Sequence, residues 1–160
     1  MRVRITTSIV AGLLAGVVFG ILMQMMTAPT PDGGAMPMMG MVAQVVRSND
    51  LAIGWLYHLF NSAVIGAIFG WLLGARVQTM SAGLAWGLLY GFAWWILGGQ
   101  ILMPVLLGMS AFATLITPAM LPVAVGSLMG HLIYGLILGV AFVWLTRQYT
   151  AALAAQRGTR

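Results

Sequence analysis

The sequence predicts an all-α membrane protein: four transmembrane helices arranged as two parallel two-helix repeats, with two short outer-side helices that are re-entrant or interfacial. Three observations carry this expectation. The chain is 61% hydrophobic and 6% charged, with mean hydropathy +1.01, and several apolar runs reach the ~20 residues a helix needs to cross a bilayer. Two stretches echo each other: His58-Leu59 and His131-Leu132 are each followed by six residues and then a glycine, Gly66 and Gly139, and these are the only two histidines. The arginines, finally, divide unevenly between the connections that such spans would leave.

Length and composition bound the rest. The 160 residues make one membrane domain with room for about four spans: repeat one over 5–74, repeat two over 81–146, and a polar cytoplasmic tail over 147–160. The chain has no cysteine, so disulfides and thiolate metal sites are excluded. Lysine and glutamate are also absent, leaving seven arginines with Asp32 and Asp50 as the formal charge. A pI near 10.9 would suggest nucleic acid in a soluble domain. Here the arginines flank apolar runs, which makes them topology signals and leaves no case for a nucleic-acid partner.

In chain order, Met1-Arg2-Val3-Arg4 precedes an apolar run from Ile5 to about Met26. The run is longer than a typical signal core and no small-x-small site ends it. Gly12-Leu13-Leu14-Ala15-Gly16 also recurs as Gly87-Leu88-Leu89-Tyr90-Gly91, so the segment is expected to be a retained first helix. Thr27 to Gly34 is turn-rich, and Met36 to Val46 is expected to form a short helix with Pro37 in its first turn. The second helix is predicted from about Leu51 to Leu73 and the third from about Ser81 to Met103. Pro104 to Pro122 is interrupted by Gly108, Ser110, Thr114, Thr117 and Pro118, which suits a short helix over 104–116 rather than a fifth span. Met36-Pro37 with Gly40-Met41 parallels Met103-Pro104 with Gly108-Met109. The fourth helix is predicted from about Val123 to Leu145.

Four spans put Arg2, Arg4, Arg76, Arg147, Arg157 and Arg160 on one side and Arg47 alone on the other. The positive-inside rule then places both termini in the cytoplasm of a bacterial or archaeal cell, in its inner membrane. Both halves enter from the same side, so the repeat is parallel. Glycines recur every four residues at Gly12, Gly16 and Gly20, at Gly66, Gly70 and Gly74, at Gly83, Gly87 and Gly91, and at Gly135 and Gly139. Such grooves let backbones approach closely, within the bundle or against another copy or another membrane protein. Trp55, Trp71, Trp86 and Trp144 fall near span ends, where interfacial tryptophans sit.

Two constellations are candidates for chemistry. His58 and His131 each lie roughly 12 Å in from the outer side, with Asn61 and Ser62 sharing a face with His58, Tyr134 sharing one with His131, and Gln24 and Gln100 at a similar level. Polar groups inside a bilayer turn toward the bundle interior, so His58, His131, Asn61, Tyr134, Gln24 and Gln100 form a candidate cofactor-binding set. The plainer alternative is that they hydrogen-bond helix to helix. Of thirteen methionines, Met23, Met25 and Met26 cluster after the first helix, and Met36, Met38, Met39 and Met41 cluster in the first loop. Thioethers favour Cu(I), and with His58 and His131 they form a candidate metal set. Two histidines at one depth are also compatible with axial ligation of a haem; against both stands methionine as a plain apolar filler. Nothing in the chain matches a nucleophile elbow, phosphate loop, HExxH or paired carboxylates, so no enzymatic activity is expected.

Gly54-x-x-x-His58-Leu59-Phe60-Asn61, the Gly-Leu-Leu-x-Gly of the third helix and Gly130-His131-Leu132 resemble the YagU-like family of small multi-pass bacterial inner-membrane proteins. The likeness covers the second to fourth helices and implies an inner-membrane protein without an assigned activity. The first loop here is shorter and richer in methionine than the family leads one to expect. The function expected is a non-catalytic membrane module, an accessory or stress-related protein working through helix contacts and needing no cofactor. The alternatives are an outer-leaflet copper or haem protein and an oligomeric carrier of small solutes.

Overall fold

The computed structural model describes residues 2–30 and 32–158, and side chains over 3–30 and 32–156. Among the described residues, four helices are long and apolar enough to cross a membrane. Helix α1 spans Arg2–Met25, α3 Leu51–Leu72, α4 Met80–Trp94 and α7 Leu121–Gly158. Between α1 and α3 the chain makes strands β1 (Thr27–Pro29) and β2 (Ala35–Pro37) and the short helix α2 (Met38–Val45). Beyond α4 the same rod continues as a π-helix over Trp95–Leu102 and the turn α5 (Met103–Leu106). A second turn, α6 (Ala113–Ile116), and a single 3₁₀ turn (Pro118–Met120) lead into α7.

Several expectations are corrected. Thr27 to Gly34 reads as turn-rich in the sequence, and the fold as all-α. The segment instead opens an antiparallel hairpin, Thr27 opposite Pro37 and Pro29 opposite Ala35. Asp32 closes the turn by accepting from the Gly34 amide and the Thr30 hydroxyl, and these bonds, Thr30 foremost, hold its carboxyl below the usual carboxylate range. Met36 and Pro37 therefore belong to β2, and the helix expected over 36–47 covers 38–45 with Pro37 as its N-cap. The helix expected over 104–116 is two four-residue turns, because Gly108 adopts φ 81 and stops the first of them. The fourth helix does not end near Leu145: α7 carries the polar tail as helix to Gly158, and its 38 residues make a rod of roughly 57 Å, longer than the ~30 Å hydrocarbon core. Of the arginines used for topology, Arg160 lies outside the described residues, as do the side chains of Arg2 and Arg157.

α1 packs along α3, α4 along α7, and α1 along α7. Glycine sets the first two contacts, and in the same way in both. A Cβ on Gly12 would meet the Ser62 carbonyl at 2.5 Å and the Gly66 Cα at 3.0 Å; one on Gly87 would strike the Gly135 carbonyl and meet the Gly139 Cα at 3.3 Å. A Cβ on Gly66 would strike the Ser8 carbonyl and meet the Gly12 Cα, and one on Gly139 the Gly83 carbonyl and the Gly87 Cα. Backbones this close gain dispersion contacts that a lipid chain cannot match. The glycine faces are thus consumed inside the bundle. α2 docks on α3 in the same manner, at Gly54, whose Cβ would lie 2.8 Å from the Met39 carbonyl.

α3 and α4 have no comparable contact among the described residues. Tyr90 on α4 donates its hydroxyl to the Ile65 carbonyl on α3 at 2.7 Å. Below it Phe69 meets the Tyr90 and Phe142 rings edge to face, at 5.1 and 5.7 Å. That aromatic plug closes the bundle toward the end that holds Arg4, Arg76 and Arg147. Toward the α2 end the two helices stay apart, and the space between them is the site described next.

Candidate functional site

His58 is buried, its Nε2 2.8 Å from the carbonyl oxygen of Gly16 on α1. A carbonyl only accepts, so in the neutral ring Nε2 carries the hydrogen and Nδ1 keeps a lone pair. Ser62, one turn on, donates to the His58 carbonyl at 2.8 Å, and Tyr134 on α7 donates to the Ser62 carbonyl at 2.9 Å. Gly16 is required beneath them: a Cβ there would strike the Ser62 side chain.

His131 is held by its own helix. Its Nδ1 lies 2.8 Å from the Ser127 carbonyl one turn back, which fixes the hydrogen on Nδ1 and leaves the Nε2 lone pair free. That Nε2 faces Gly98 in the π-helix, within 3.9 Å of where a Cβ would stand.

Phe19 of α1 joins the two histidines. Its ring packs edgewise on both, with centroids 5.6 Å from His58 and 4.9 Å from His131. Gly130 admits it, since a Cβ beside His131 would collide with the Phe19 ring. The two imidazoles therefore lie on one site, each against the same ring.

Both border a cavity of about 330 Å³ between α3 and α4. Phe19, Met23, Ser127, His131 and Tyr134 form its back wall, Met38, Val42 and Val45 of α2 its roof, and Trp94 and the π-helix one flank. Val64, Leu102 and Leu106 line it while remaining 41%, 44% and 59% exposed, so the cavity is open sideways, where lipid would lie. Asn61 and Tyr57 also face it. The volume sits at the lower end of the range for small-molecule pockets, and the few polar groups on apolar walls are of the kind that orient a ligand.

A second, smaller space of about 30 Å³ adjoins it, sharing Met38, Gly99, Met103 and Ser127 as walls. Gln100 borders this one at 1% exposure. Its Oε1 accepts from Thr114, while its Nε2 has no partner among the described residues. The local backbone explains the placement. Pro104 has no amide hydrogen for the Gln100 carbonyl four residues back, and that carbonyl instead accepts from the Phe112 amide at 2.6 Å. The π turns before it, with Met103 N–H bonded five back to Gly98, aim Gln100 inward.

Of the candidate cofactor residues, His58, His131, Asn61 and Tyr134 come together on the large cavity. Gln100 borders only the small one, and Gln24 borders neither: it accepts from the Trp55 indole at 3.3 Å. Trp55 itself lies on Gly20 and His58. Of the candidate metal residues, Met23 and Met38 line the cavity with the histidines, and Met41 lines the small space. Met26 rests at Gly126 with the Met38 sulfur beside it, while Met39 is buried, Met36 sits at Gly40 and Met25 is 77% exposed, so the methionines do not all gather on one site. No group of three His, Cys, Asp or Glu side chains suits a metal among the described residues. Sequence reasoning missed Ser127, whose signal is its i, i+4 spacing to His131. It also missed Phe19 and Trp94, which carry no signal beyond being aromatic. No protein-family model, curated protein or solved structure matches the chain.

Proposed function

We propose that this is a non-catalytic multi-pass protein of a bacterial or archaeal inner membrane. Its working part is a receptor for a small neutral amphipathic molecule that enters sideways between α3 and α4. The observation that carries this reading is the cavity of about 330 Å³ bordered by both imidazoles and by Asn61. Apolar walls suit a hydrocarbon body, and neutral hydrogen-bonding groups suit an uncharged head. An accessory or stress-related role is compatible with such a receptor. Contacts to a partner through the glycine grooves are less favoured, because those glycines already hold α1 on α3 and α4 on α7.

The same proposal takes the chain as two parallel repeats with both termini cytoplasmic, and α2 and the 103–116 turns on the outer side. The one-to-one glycine contacts of the two helix pairs support the duplication. The gathering of Arg4, Arg76 and Arg147 away from Arg47 supports the orientation. Membership in the YagU-like family remains a proposal resting on the sequence resemblance.

A second reading, Cu(I) binding, is favoured by one observation: the Met23, Met38 and Met103 side chains share the cavity with two imidazoles. A haem ligated by both histidines is not favoured, since Phe19 packs against each ring. A carrier cycle would require the aromatic plug beneath the cavity to open.

Native mass spectrometry of the purified protein tests the proposal. The expected result is a single retained organic guest, lost in Gly98→Leu, whose Cβ has room and whose side chain would fill the space beside His131. A copper adduct of one equivalent selects the second reading. Equal guest retention by wild type and Gly98→Leu would overturn the receptor.

A further inference from the structure

We propose that the small space beside Gln100 is an oxygen-acceptor subsite of the histidine cavity, and that the guest is a neutral amphiphile carrying a carbonyl group. The inference rests on the receptor reading and adds the chemistry of the head group. Its starting point is the Gln100 amide, almost fully buried with Nε2 unpartnered. A buried donor left without an acceptor is costly, and Thr114 already occupies the other end of the same amide.

A second donor borders the space. The Ser127 hydroxyl lies 3.4 Å from His131 Nδ1, but that nitrogen directs its hydrogen to the Ser127 carbonyl. It therefore cannot accept the hydroxyl proton. Gln100 Nε2–H and Ser127 O–H are thus both free to donate; of the remaining walls, the Thr114 hydroxyl is engaged at the Gln100 Oε1 end, and Met38, Met41, Met103 and Met109 offer only weakly accepting thioethers. Two donors around about 30 Å³ fit one oxygen atom. An ammonium or guanidinium head brings donors where donors already are. A carboxylate would bring a charge that no arginine lining either space compensates, and both imidazoles already direct their N–H groups at backbone carbonyls. A ketone, ester or amide carbonyl supplies the acceptor without charge. Its hydrocarbon then lies along Val64, Leu102 and Leu106, toward the lateral opening.

The test uses the full-length protein in nanodiscs of dialkyl-ether phospholipid, which has no ester carbonyl. Methyl nonyl ketone and undecane are titrated and their affinities read from thermal stabilisation. The ketone is expected to bind more tightly than the alkane, with its labelled carbonyl stretch shifted to lower frequency. Gln100→Leu is expected to weaken the ketone about five- to tenfold and leave undecane unchanged. Ser127→Ala, which leaves the Gln100–Thr114 pair intact, is expected to weaken it in the same direction. Weaker ketone binding in diacyl discs would assign the native carbonyl to a membrane lipid ester, and equal binding would assign it to a free amphiphile; either outcome supports the subsite. If both probes bind and neither variant discriminates between them, the space holds only water and the inference fails while the receptor stands. If neither probe binds wild type, the receptor reading fails with it.

Discussion

At the residue scale, the fold depends on atoms that are missing. Gly87 faces Gly135 and Gly139 so closely that a single methyl would overlap backbone, and backbone cannot rotate aside as a side chain can. Gly87→Ala is expected to cost about 1–3 kcal/mol in detergent-denaturation measurements, whereas Leu89→Ala on the same helix, 56% exposed, should cost well under half as much. Equal effects at the two positions would mean that α4 does not bear on α7 as described. The spacing of four among these glycines was visible in the sequence, and so was the demand that polar groups turn inward. The sequence could not say which glycine meets which. It also could not foresee that the Phe19 ring would pack on both His58 and His131, because a lone phenylalanine in an apolar run carries no signal. The hydrogen on each imidazole follows from a carbonyl partner, Gly16 in one case and Ser127 in the other, and only the second lies at a spacing that a sequence displays.

At the element scale, one proline reshapes the third span. Apolar length alone ends that span near Met103, and the rod indeed continues only to Leu106. Its last turns are wound as a π-helix, however, which periodicity cannot reveal over eight residues of nearly uniform hydrophobicity. Such wide turns occur often at functional sites, and here they set Gly98 against His131 and Gln100 against the small space. Pro104→Ala would return an amide hydrogen to the Gln100 carbonyl, which now takes that of Phe112. The expected outcome is faster amide exchange over 110–113 in hydrogen–deuterium exchange mass spectrometry, with the rest of α4 unchanged. Unaltered protection there would show that the proline does not govern the bond. The β1–β2 hairpin was illegible for a different reason: its strands are three residues each, and Pro29 and Pro37 argue against strand by every local preference.

At the scale of the whole molecule, four spans were legible because hydrocarbon thickness is a hard physical limit and the chain has few charges with which to disguise it. Orientation is read from the arginines alone. Arg4 lies beside Gly74 and Arg147 donates to the Gln78 carbonyl at 3.2 Å, which gathers Arg4, Arg147 and the Arg76 connection at one end. Arg47, in a left-handed conformation just after α2, is at the other. If the positive-inside rule holds for this chain, the first end is cytoplasmic, and the α7 extension carries Ala155 into the cytoplasm with it. A cysteine introduced at 155 should then resist a membrane-impermeant maleimide in intact cells and react after permeabilisation. One introduced at Ser48 should react in both. Labelling of 155 from outside would invert the bundle and turn the proposed receptor toward the inner leaflet. The cavity would keep its geometry, but its guest would then have to come from the cytoplasmic face.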